Sequence, residues 1–177
     1  MEADDRIFGF SESLPALREK LRRFMEEEVI PLESPAMAHD LDAIEAAARK
    51  LRAKARAAGL YAPQLAPQWG GLGLSWRDRC AVLEEAGRSF LGPLALNCAP
   101  PDQPNMINLL QLGTPAQQAR YLQPLAAGEC RSCFAMTEPE PGAGSDPSML
   151  ATQARRVSDA QGEGWVIVGR KWFISGA

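Results

Sequence analysis

The apolar periodicity of this chain changes once, near Gly128, and that change constrains the fold more than any other feature. Before it, apolar residues recur at three- and four-residue steps; after it, they alternate or gather in short β-rich runs. The pattern predicts an α+β protein: an N-terminal all-α helical domain over 1–128, then strands of a second domain over 129–177. With 177 residues, 46% hydrophobic and 23% charged, the chain can bury a core and is not disordered as a whole.

In the first part, Leu14, Leu17, Leu21, Phe24, Met25 and Val29 form one helical stripe that Pro31 ends. A second helix is predicted from about Asp40 to Ala58, with Ile44, Ala48, Leu51 and Ala55 facing inward and Gly59 as its stop. Its opposite face, Arg49, Lys50, Arg52, Lys54 and Arg56, reads as a solvated surface. Tyr61 to Gly73 is a Pro- and Gly-rich loop pinned by Trp69. Ser75 caps a third helix carrying Cys80, Val82, Leu83, Ala86 and Phe90, closed by Gly92-Pro93. Met106, Ile107, Leu109 and Leu110 form a short helix ending at Gly113. Thr114-Pro115-Ala116-Gln117 is a capping box for a fifth helix reaching about Ala127.

Beyond Gly128, four runs read as strands: Cys130–Met136, Ala151–Val157, Trp165–Val168 and Lys171–Ser175. Turn residues around Gln161-Gly162 and at Gly169-Arg170 suggest hairpin connections and antiparallel pairing. These strands are too few to close a barrel, so the sequence reads as the front part of something larger.

Charge and composition narrow the ligands. Lys plus Arg is 19, Asp plus Glu is 22, and the net charge of −3 offers no field for nucleic acid. No apolar run approaches the roughly 18 residues of a membrane span, and Met1-Glu2-Ala3-Asp4-Asp5 lacks a basic leader. A cytoplasmic chain is expected, with Cys80, Cys98, Cys130 and Cys133 reduced. Cys130 and Cys133 have CxxC spacing without the further ligands a zinc site needs, and read as two buried or half-buried thiols. No metal ligand set is identified. His39 reads as a surface residue.

Chemistry concentrates in Phe134-Ala135-Met136-Thr137-Glu138-Pro139-Glu140-Pro141-Gly142-Ala143-Gly144-Ser145-Asp146. The segment turns at two prolines and opens into a small-residue loop whose backbone N–H groups could cradle a phosphate. A turn-rich connection between strands is the other reading, since no helix pattern follows Ser145.

This segment resembles the flavin-binding signature of the acyl-CoA dehydrogenase family. Pro67-Gln68-Trp69-Gly70-Gly71-Leu72-Gly73-Leu74-Ser75, Leu83-Glu84-Glu85-Ala86-Gly87, Leu112-Gly113-Thr114 with Gln117, the Thr137-Glu138-Pro139 signature, and Gly169-Arg170-Lys171-Trp172-Phe173-Ile174-Ser175-Gly176 follow one another as in that family. The resemblance implies a helical domain and the opening strands of a β-barrel-like middle domain, the family's C-terminal helical domain being absent from this sequence. It implies FAD as cofactor, with Phe134, Met136 and Thr137 lining the flavin and Ser145 shared between the FAD phosphates and an acyl-CoA substrate. Phe173 stands where the family usually has a tryptophan against the flavin, with Trp172 as the alternative by one residue, Ile174 beside it, and Ser175 in place of a threonine near N5. Glu140-Pro141 is an extra pair at the expected CoA entrance.

The implied reaction is α,β-dehydrogenation of an acyl-CoA thioester, with hydride passing to flavin N5 and the catalytic base, a glutamate, in the part of the family fold not represented here. Glu84 and Glu85 read as solvated or capping charges and Glu138 as a turn-fixing acceptor, so no catalytic residue is assigned and the chain alone is expected to be catalytically incomplete. Implied partners are the acyl-CoA, the rest of the fold, further copies in a homotetramer, and an electron-transfer flavoprotein or similar acceptor. A flavin monooxygenase on the same scaffold and a non-catalytic acyl-CoA or partner-binding module are the alternatives.

Overall fold

The computed structural model describes residues 9–34, 37–140, 142, 144, 146–159 and 162–177. It comprises two compact units, Met1–Arg131 and Ser132–Ala177. The first is helical. Its elements are α1 (Leu14–Phe24), α2 (Leu41–Ala57), α3 (Trp76–Ala86), α4 (Gly92–Ala95), α5 (Asp102–Leu112), α6 (Pro115–Gln117) and α7 (Gln123–Ala126).

Local chemistry explains most of their ends. Asp40 accepts the Ala43 N–H at 2.9 Å to start α2, and Ser75 accepts the Asp78 N–H at 3.1 Å to start α3. Thr114 and Gln117 exchange both bonds of the capping box, at 2.8 and 3.3 Å. After α2, the Gly59 N–H meets the Arg56 carbonyl and the Leu60 N–H meets that of Ala55; Gly59, at φ +63°, allows this reversal. Two π-helical turns, Met25–Val29 and Gln118–Leu122, each end two residues before a proline, Pro31 and Pro124. A proline ring crowds the carbonyl four residues back and offers it no N–H, so the helix widens there.

The core is continuous through this unit: Leu14, Leu21, Met25 and Val29 from the first stripe meet Leu51, Ala55, Val82, Ala86, Met106 and Leu122, all at most 2% exposed. Burial of each large side chain is worth about 1.5–3 kcal/mol against leaving it in water. The buried Tyr61 hydroxyl and Asn97 amide donate to carbonyls of Leu125 and Ala126 at the end of α7, which have no partners within the helix.

Several expectations change. The third helix stops at Ala86, so Phe90 lies beyond it, and Gly92-Pro93 opens α4 rather than closing α3; Cys80, Leu83 and Phe90 are exposed. Gly92 is required by packing, since a Cβ there would lie 2.1 Å from the Ala86 carbonyl oxygen. Arg52 is not on a solvated face: it is 4% exposed and paired with Glu45. Glu85 is likewise buried, held by Arg22 at 3.4 Å and by Arg88. Burial would raise its pKa, but hydrogen bonds from Arg88 and Arg22 leave it lowered. Hydropathy patterns assign such charges to water because they cannot see the partner that makes burial tolerable.

In the second unit, β1 (Gln153–Asp159) and β2 (Gly162–Val168) pair antiparallel, Gln153 opposite Val168 and Asp159 opposite Gly162. The α+β class and the hairpin are as expected. Cys130–Met136 and Lys171–Ser175 are not strands. Met136 N–H bonds to Phe134, Trp172 N–H to Thr137 and Ala177 N–H to Ile174, whereas a ladder needs a partner segment running alongside. Gly169-Arg170 therefore leads out of the sheet rather than through a second hairpin.

Replacing Gly92 by Ala should lower stability by about 3 kcal/mol, because backbone rather than a mobile side chain blocks the methyl. Urea denaturation followed by helical circular dichroism measures it, and a loss below about 1 kcal/mol would contradict the packing described.

Candidate functional site

The second unit is organised around Glu138. Its side chain is 3% exposed. Oε2 accepts the Ala151 N–H at 2.6 Å; Oε1 accepts the Thr152 N–H at 3.0 Å and the Lys171 ammonium at 2.7 Å. Its own N–H donates to the Gly144 carbonyl at 3.0 Å, closing the intervening loop. Gly142 must be glycine, since a Cβ would lie 2.6 Å from the Glu138 Cβ. Lys171, then Thr152 and Ala151, hold the carboxyl down to about 2, from an ordinary 4.5. The expectation that Glu138 fixes the turn is met, and its role extends further, because Lys171 comes from the far side of the hairpin.

Lys171 also donates to the Met136 carbonyl at 2.9 Å, and the next N–H, that of Trp172, donates to the Thr137 carbonyl at 3.2 Å. These bonds bring together the two stretches that hold the candidate residues, Phe134–Thr137 and Trp172–Ser175. Phe134 and Phe173 are 57% and 84% exposed, Met136, Thr137 and Ile174 are half-buried, and Ser175 is exposed. The Trp172 and Phe173 rings lie 4.9 Å apart at 44°, and Phe173 holds φ +50°, a left-handed conformation uncommon for an aromatic residue. Large apolar rings are thus displayed beside a backbone turn rather than packed away. Ser145 and Pro141 lie outside the described residues.

Beside Glu138 lies a cleft of about 380 Å³ lined by Glu140, Thr152, Gly169 and Arg170 among others. The Thr152 hydroxyl faces Gly169, where a Cβ would sit 2.1 Å from it. Asp146 accepts both the N–H and the hydroxyl of Ser148, at 2.9 and 2.7 Å, which lowers its pKa. Glu84 is exposed as expected. His39 is exposed too. None of the four cysteines is in a disulfide; Cys130 and Cys133 are exposed rather than buried, and burial pushes the Cys98 thiol up to about 12.

Sequence reasoning missed the ionic partners. Lys171 reads in the sequence only as part of the Gly169–Gly176 motif and of a strand-like run, and a lysine 33 positions after a glutamate carries no local signal. The same holds for Arg131, which pairs with buried Asp102 and with Glu45, 3.3 Å away.

Comparison with known proteins fits this geometry. Residues 11–129 match the family described as acyl-CoA dehydrogenase, N-terminal domain. Mouse acyl-CoA dehydrogenase family member 10 is 35% identical over 177 residues, 95% of this chain and 16% of its own. A Mycobacterium abscessus structure assigned as an acyl-CoA dehydrogenase superposes with a TM-score of 0.78 at 35% identity, over 96% of this chain and 44% of that one. A Bacillus anthracis acyl-CoA dehydrogenase solved with FAD superposes with a TM-score of 0.69 at 26% identity, over 94% of this chain and 27% of that one. The chain belongs to the acyl-CoA dehydrogenase family. It spans less than half the length of each of these relatives.

The acid response of the second unit follows from Glu138. A carboxyl held below its unfolded value contributes stability that is complete above 4.5 and is lost as pH falls toward about 2. Trp172 fluorescence should report loosening across that window, and Glu138→Gln should be loosened already at neutral pH and show a flatter acid response. An unchanged acid response in Glu138→Gln would contradict the assignment.

Proposed function

We propose that this chain is the flavin-cradling portion of an FAD-dependent acyl-CoA dehydrogenase, acting in α,β-dehydrogenation of an acyl-CoA thioester to the trans-2-enoyl-CoA. The observation that carries the reading is the pinning of Phe134–Thr137 to Trp172-Phe173 through Lys171. The residues present fit the group: exposed flat rings for an isoalloxazine, hydroxyls at Thr137 and Ser175 for its polar edge, and Gly144 at φ +60° with open space around it for a phosphate approaching backbone. When bound, FAD would accept the hydride from the substrate β-carbon.

This chain's contribution is binding and orientation. The Thr137 hydroxyl and adjoining main chain would hold the pyrimidine edge, and Phe134, Met136 and Ile174 would line the ring. Phe173, with Trp172 behind it, would form the flat wall, and the Ser175 hydroxyl would sit near N5. Ser145 remains the proposed contact to the FAD phosphates and the acyl-CoA. Glu85 and Glu138 are occupied by cations, and a carboxyl with a pKa of about 2 is a poor proton acceptor, so the base that removes the α-proton is assigned to the part of the fold this chain does not span. That part, further copies in a homo-oligomer and an electron-transfer flavoprotein or similar acceptor complete the proposal.

Titrating FAD into the chain and following flavin fluorescence tests it. Saturable quenching is expected, weakened about three- to tenfold by Phe173→Ala, the range one aromatic contact contributes. No acyl-CoA oxidation should occur without the missing part. Absence of any flavin binding would overturn the reading.

A further inference from the structure

The helical unit carries a cleft that the flavin reading does not use. It measures about 510 Å³, within the range of small-molecule sites, and lies where the last turn of α2, the turn Pro67–Trp69 and the end of α7 converge. Arg56, Tyr61, Gln68, Trp69, Gln123 and Ala127 are in its lining, and none of the described residues that line it is acidic.

Arg56 supplies the charge, and its surroundings leave that charge unanswered. Elsewhere on α2, Arg52 pairs with Glu45 and Lys54 with Glu28, whereas Arg56 forms no ion pair with any described residue. Its guanidinium lies 3.9 Å above the Tyr61 ring and donates to the Ala127 carbonyl, so a long side chain is already held in one place before any ligand arrives. Tyr61 is itself fixed: it is 2% exposed, and its hydroxyl donates to the Ala126 carbonyl at 2.9 Å. Burial raises the Tyr61 pKa, so the phenol stays neutral and provides no counter-charge. The helix-end carbonyls of Ala126 and Ala127, which would otherwise draw a cation, already serve Tyr61 and Arg56.

The rest of the lining gives the shape of the ligand. Trp69 is half-buried, and neither its indole N–H nor the side-chain amides of Gln68 and Gln123 pair with a described residue. An aromatic wall in the same cleft as a planar guanidinium suits a flat ring bearing an acid group, since guanidinium and carboxylate meet through two parallel hydrogen bonds. One cation matches one negative charge. A phosphate monoester would bring a second charge that no described lining residue meets.

We propose that this cleft binds an aryl carboxylate of one or two rings, its carboxylate on Arg56, its ring against Trp69 and its edge within reach of the Gln68 and Gln123 amides. The proposal does not depend on flavin binding.

Titrating naphthoate into the isotope-labelled chain, with the Trp69 indole and the Gln68 and Gln123 amide signals followed by nuclear magnetic resonance, is the test. Saturable binding with a Kd on the order of 100 µM is expected of a ligand this small, with the shifts concentrated on those signals. Arg56→Gln should weaken it at least about tenfold through loss of a charge-assisted pair, and Trp69→Leu about three- to tenfold. Arg49→Gln, which removes the same charge from α2 outside the cleft, should leave the affinity unchanged. Naphthamide, with the same rings and no charge, should bind the wild-type chain at least about tenfold more weakly than naphthoate. Circular dichroism checks folding; should Arg56→Gln not fold, Gln123→Glu, which sets a like charge at an exposed position of the lining, must still weaken naphthoate at least about tenfold. No saturation by about 10 mM, an affinity unchanged in folded Arg56→Gln or in Gln123→Glu, or shifts confined to Trp172 and other signals of the second unit would each overturn the proposal.

Discussion

A carboxylate buried beside one lysine determines the form of the second unit. Glu138 brings a negative charge to 3% exposure, which is tolerable only because two backbone N–H groups and the Lys171 ammonium surround it. Each donor lies on a different part of the chain from Glu138 itself: Ala151 and Thr152 enter β1, and Lys171 follows β2. The hairpin returns the chain so that Lys171 can reach Glu138, and the same ammonium reaches the Met136 carbonyl. The seven-residue strands would be a marginal pair in isolation, and the ionic hub gives their two outer segments a common anchor. The display of Phe134, Trp172 and Phe173 follows from that anchor rather than from a hydrophobic core.

What sequence could reveal here was local. Helix starts at Asp40, Ser75 and Thr114 were legible because a cap is an interaction between residues three apart. The change of class near Gly128 was legible because periodicity reports a buried face. Arg52, Glu85 and Asp102 were not, since pattern reasoning sends charge to water and their partners lie on other elements. Cys130–Met136 and Lys171–Ser175 have strand composition, but a strand also needs a partner backbone alongside, and among the described residues neither run joins the sheet of β1 and β2. The candidate site was legible as an order of motifs along the chain. The ion pair that juxtaposes those motifs was not.

Membership of the acyl-CoA dehydrogenase family and the partial span of the chain lead to one physical picture. A helical unit with a continuous apolar core precedes a unit whose aromatic residues face outward. Apolar rings left in water next to a strained backbone position, Phe173 at φ +50°, indicate a surface shaped for something other than its own folding.

The central claim is that Lys171 and Glu138 hold the two candidate segments as one structure. Amide hydrogen exchange of Lys171→Met against the wild-type chain tests it most directly. The account predicts that Ala151, Thr152 and Trp172 lose protection together, by about tenfold or more, while the paired amides of β1 and β2 keep theirs. Undiminished protection at Trp172 in the variant would contradict it.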